Sequence, residues 1–125
     1  MEVLAETLYW RPVVVGRVSA VPAVFRVGPS LIHRHTGRVE SPHGERWLRR
    51  MELELLVHLY EHIPQTFARE QLLQEVWRCR PGLVTRTVDQ TVATLRRKLN
   101  DDSAKPKYLV TVHGVGYRLR QGPAD

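Results

Sequence analysis

Hydrophobic positions recur at two different spacings along this chain, and the change of spacing divides it. From Thr85 to Leu99 the apolar residues are Val88, Val92, Leu95 and Leu99, one narrow stripe at helical period. Arg86, Gln90, Ala93, Thr94 and Arg97 fall on the opposite face. The pattern predicts a helix that anchors one side to a core and presents small, polar and cationic groups outward. Met51 to Glu61 carries Met51, Leu55, Val57 and Leu59 and predicts a largely buried helix, ending before His62-Ile63-Pro64. A further helix is expected from Thr66, read as its N-cap, with Leu72, Leu73, Val76 and Trp77 as its apolar face. Pro81-Gly82 breaks the chain after it, and Thr85 is read as the N-cap of the next helix.

On either side of these helices the spacing shortens to that of strands. Val13–Val15 and Ala23–Val27 are β-rich and bounded by prolines and glycines. Leu31–Arg34 and Arg38–Glu40 flank His35-Thr36-Gly37 as a hairpin, and Gly44 starts a further turn and strand through Leu48. Near the C-terminus, Tyr108–Val112 and Tyr117–Leu119 are joined across His113-Gly114-Val115-Gly116, a second hairpin with glycine where the backbone turns tightly. Three helices followed by a β-hairpin define an α+β protein of winged helix-turn-helix type. In that arrangement the third helix enters a major groove and the hairpin, or wing, reaches the flanking backbone or minor groove.

Charge adds a partner to this picture. The chain has 125 residues and a formal net charge of +6, which favours an anionic partner, nucleic acid before an acidic membrane surface. Between Arg86 and Arg120 there are eight Lys or Arg against three Asp, so most of the excess lies in the last third. The single cysteine, Cys79, forms no internal disulfide, and a reducing cytoplasm is the expected compartment. No apolar run reaches membrane-span length and the N-terminus lacks a basic signal region. His33 and His35 share a strand face, but no carboxylate or cysteine completes a metal site there; neither metal nor cofactor is expected. No nucleophile–histidine–acid set, glycine-rich phosphate loop or carboxylate pair stands out, so an enzyme is not expected.

Arg86-Thr-Val-Asp89, Leu95-Arg-Arg-Lys-Leu99 and Thr111-Val-x-Gly-Val-Gly-Tyr-Arg118 together resemble the DNA-binding (effector) domain of OmpR/PhoB-type response regulators. Leu48-x-x-x-Glu52-x-x-Leu55-Leu56 and Arg69-Glu-x-Leu72-x-x-x-Val76-Trp77 fit the same pattern. The resemblance runs from about Val24 to Leu119 and implies an N-terminal antiparallel sheet of four strands ahead of the helices and wing. It divides the chain into an N-terminal extension (1–23), the winged-helix domain (24–120) and a short tail (121–125). A receiver domain usually precedes this module; residues 1–23 are too few for one, and the expectation is a stand-alone member or a fragment.

The implied function is a sequence-specific regulator of transcription on double-stranded DNA. The resemblance implies phosphate contacts for Arg86 and Trp77, and the helix face gives the same role to Arg96 and Arg97. Asp89 would repel DNA, and is expected to orient a neighbouring arginine instead. Gln90, Ala93 and Thr94 are the candidates for base edges. In the wing, the family's geometry points Thr111 and His113 at the duplex. Arginine is usual at the latter position; histidine is shorter and changes charge near neutral pH, implying a weaker, pH-sensitive contact. The segment Arg78–Val84 corresponds to the family's RNA polymerase contact, commonly acidic there and basic here, which gives weight to repression or to another activating surface. Family members pair head to tail on direct repeats; residues 1–23 offer an alternative dimer or partner strand. Thr91, Thr94 and His113 depart from the family's usual residues, which keeps a protein-interaction or assembly module as the alternative function.

Overall fold

The computed structural model describes residues 21–78 and 82–120. Four short strands come first: β1 (Val24–Val27), β2 (Ser30–His33), β3 (Arg38–Ser41) and β4 (Gly44–Trp47). They form an antiparallel sheet in chain order, with Phe25 opposite Ile32 and Ile32 opposite Val39. Alternation sends Phe25, Val27, Ile32 and Val39 into the core while their neighbours face out. The expected hairpin across residues 34–37 is present, with Gly37 at φ +78°. The expected strand at Val13–Val15 lies outside the described residues. Val21 is already buried in the core, so packing begins before Val24.

Helix α1 (Arg50–Glu61) follows, close to its expected span. The Arg49 amide donates to Glu52 Oε1 (2.9 Å), which satisfies one open N–H at the helix start. Next comes β5 (Phe67–Ala68), then α2 (Arg69–Glu75), α3 (Thr85–Lys98) and the strands β6 (Leu109–Val112) and β7 (Gly116–Leu119). β5 pairs with β7, and β7 with β6, in a second sheet. The two expected threonine caps are corrected by one to two residues. Phe67 and Ala68 are held in the ladder opposite Tyr117 and Gly116, so α2 starts only after Ala68, not after Thr66. Its first turn is closed from within by Gln71 Oε1, which accepts from the Ala68 amide (3.3 Å). Val84 occupies the cap of α3 and Thr85 is its first helical residue.

Both sheets and all three helices share one core. Leu55, Leu56, Leu59, Phe67, Leu72, Leu95, Leu99, Leu109 and Leu119 are among its fully buried side chains. Tyr108 closes over Gly28, at φ +57°, where any side chain would strike the tyrosine ring. That contact joins the β1–β2 turn to the base of the wing. The Asp101 carboxylate accepts from the amides of Lys107, Tyr108 and Leu109 (2.7, 3.1 and 2.8 Å) and fixes the entry to β6. Among the described residues, no helix is long and apolar enough to cross a membrane.

Candidate nucleic-acid interface

Helix α3 divides into sectors that follow from ~100° per residue. Val88, Val92, Leu95 and Leu99 are at most 1% exposed and fix the helix to the core. Directly opposite, Arg86, Gln90, Ala93 and Arg97 are exposed. Asp89 and Arg96 form the flank towards the wing. Thr87, Thr91, Thr94 and Lys98 form the flank towards α1. Thr91 spends its hydroxyl on the Thr87 carbonyl (2.9 Å), as threonines inside helices do.

The wing flank is held by two polar clusters. Arg96, expected to face phosphate, is buried. Its Nε donates to the Leu109 carbonyl (3.0 Å) and a terminal nitrogen donates to Thr111 Oγ1 (2.7 Å). Its guanidinium also lies 5.8 Å from the centre of the Tyr117 ring. Arg96 and Thr111 therefore bolt the wing to α3. In the second cluster Asp89 takes Arg69 through both oxygens (3.0 and 2.7 Å) and accepts from the Tyr117 hydroxyl (2.7 Å). Desolvation pushes the Asp89 carboxyl up, but the Tyr117 hydroxyl and the Arg69 guanidinium outweigh it and hold the group below the usual carboxylate range. The Tyr117 phenol is pushed up to about 12, first by burial and then by its bond to Asp89. The acid on α3 is thus paired by α2 and the wing, and it orients an arginine as expected.

On the other flank, Lys98 Nζ donates to the Trp47 carbonyl (2.9 Å) and to Glu52 Oε1 (2.8 Å), tying α3 to β4 and α1. Lys98 was expected only as flanking charge; the available signal was an acid, Glu52, at helical spacing with Leu55, Leu56 and Leu59. Trp77, expected at a phosphate, is 4% exposed and belongs to the core. His113 sits exposed at the wing tip beside Gly114, at φ +76°. Of the predicted site residues, Arg86, Gln90, Ala93, Arg97 and half-buried Thr94 share one surface, His113 stands apart on the wing, and Trp77, Arg96 and Thr111 support rather than line it. Among the described residues, no group of His, Cys, Asp or Glu could hold a metal.

A helix presented between a second helix and a hairpin wing is the geometry of winged helix-turn-helix proteins. The chain belongs to the OmpR/PhoB-type DNA-binding domains: the family described as transcriptional regulatory protein, C terminal, matches residues 44–119. The family is not enzymatic. The chain is similar to the DNA-binding domain of Escherichia coli CadC, with 28% identity over 78% of this chain and 91% of that one, and a TM-score of 0.67. It is similar to the Klebsiella pneumoniae RstA DNA-binding domain, solved in complex with the RstA box (25% identity, 82% of this chain, 100% of that one, TM-score 0.66). It also matches the Thermotoga maritima response regulator DrrB, an OmpR/PhoB homologue (28% identity, 78% of this chain, TM-score 0.67). The chain spans 44% of the length of DrrB.

Proposed function

We propose that this chain binds double-stranded DNA sequence-specifically and regulates transcription, with α3 in the major groove and the β6–β7 wing over the adjacent minor groove or backbone. The observation that carries this reading is the exposed quartet Arg86, Gln90, Ala93 and Arg97 on a helix whose other side is locked into the core. The DNA-bound state of the RstA domain supports it. Arg86 and Arg97 take phosphates; Gln90, Ala93 and Thr94 meet base edges, a set suited to A·T pairs. His113 supplies the wing contact. Arg96 and Thr111 act through the wing's position, and Trp77 through packing at the end of α2. Two copies head to tail on direct repeats would compensate for so small a set of base contacts.

Selection of bound duplexes from a random pool, followed by mobility shifts, tests the reading. A defined motif should emerge. Gln90→Ala should relax preference at one base position, by about 1–3 kcal/mol of discrimination. Arg86→Ala should weaken all sequences alike. No enrichment, together with binding insensitive to salt, would replace this function by the protein-interaction module.

A further inference from the structure

A groove of about 410 Å³ runs along the flank of α3 opposite the wing. One wall carries Arg49, Arg50 and Glu52, from the start of α1; the other carries Gln90, Thr91 and Thr94 of α3. The groove is continuous with the base-reading face, because Gln90 and Thr94 belong to both. Its acidic group is already answered: Glu52 Oε1 accepts from the Arg49 amide and from Lys98. Arg50 pairs with Glu54 (2.8 Å), but its side chain is 81% exposed and such a pair is weak enough to exchange. Arg49 is exposed as well. Two cations in succession at the start of a helix oppose the helix dipole, which favours acids there. Stability of α1 therefore does not account for them.

We infer that Arg49 and Arg50 bind backbone phosphates of the DNA strand that the wing does not reach. This rests on the DNA-binding reading above. A major groove is about 12 Å wide and an α-helix with its side chains is nearly as broad, so a helix seated there has one sugar–phosphate wall along each flank. On one flank of α3 stands the wing, bolted through Arg96. On the other stands the Arg49–Arg50 groove, whose positive rim suits a phosphodiester. Phosphate contacts on both walls would fix the rotation of α3, and so the presentation of Gln90 and Thr94.

The test measures affinity for a short mixed-sequence duplex across a salt series, for the wild type, the R49A/R50A double variant and the R49K/R50K double variant. Each phosphate contact contributes about 0.9 to the slope of log K against log salt. The alanine pair should lower the slope by nearly two and weaken all sequences alike, while the lysine pair keeps most of the slope. Ethylation interference should lose phosphates on one strand only with the alanine pair. An unchanged slope in R49A/R50A, with a steep wild-type slope, would overturn the inference and leave DNA binding intact. A wild type that does not bind duplex DNA would overturn both. The far-ultraviolet dichroism and Tm of each variant report whether α1 still folds.

Discussion

The Asp89 carboxylate stands between an arginine of α2 and a tyrosine of the wing, and both bonds have consequences for pH. The folded-state value of Asp89 is depressed, so its contribution is present above the ordinary carboxylate range and fades as pH falls through the lowered value. Tyr117 behaves in the opposite sense. Its folded value, about 12, lies above the ordinary 10.0, so its contribution is complete below pH 10.0 and is lost as pH rises from there towards 12. Tyr117→Phe should flatten that alkaline limb of a Tm-against-pH curve, removing a pH-dependent term on the order of 1 kcal/mol after solvent screening. An alkaline limb unchanged in the variant would show that the hydroxyl bond does not carry it. The partner of Asp89 could not be read from the sequence. An arginine was expected nearby, yet Arg69 lies on another helix, and only the packing of α2 on α3 brings the two together. Arg96 departs from its expected outward position for a related reason. Its angular position borders the buried stripe, where a long cation can either reach outward or turn along the core. The Leu109 carbonyl, supplied by the wing, decides the matter.

At the scale of elements, the helices and hairpins were legible because each has a long enough apolar period and a turn that ends it. β5 was not. Two residues carry no period, and Phe67-Ala68 adopts strand geometry only because β7 lies beside it. That pairing depends on Gly116, where a Cβ would collide with the Phe67 carbonyl. Gly114 differs: it has open space around it but φ +76°. Gly116→Ala should therefore cost at least about 2 kcal/mol by displacing β5 from β7. Gly114→Ala should cost about 1 kcal/mol of backbone strain. Urea unfolding of the two variants checks the order, and equal midpoints would mean that β5 yields without loss. Because β5 leads directly into α2, Gly116→Ala should also weaken DNA binding more than its distance from α3 suggests.

For the whole molecule, the charge that counts is smaller than the charge on paper. Eight Lys or Arg lie between Arg86 and Arg120; if all of them met phosphates, the slope of log K against log salt would approach about −7. The fold withdraws two of them. Arg96 is buried on the Leu109 carbonyl, and Lys98 is spent on Glu52 and Trp47. The cations proposed to meet a duplex are Arg86 and Arg97 on α3, joined by Arg49 and Arg50 from outside the basic third. Four such contacts give a slope of about −3.6, and raising salt from about 50 to 200 mM should weaken binding by roughly a hundredfold. Titration of one duplex at several salt concentrations, with a single copy bound, measures this directly. A slope near about −6 would mean that Lys98 leaves Glu52 and that the exposed Lys105 and Lys107 ahead of β6 meet DNA as well. A slope near −2 would leave Arg86 and Arg97 alone on the backbone, and the α1 flank facing solvent.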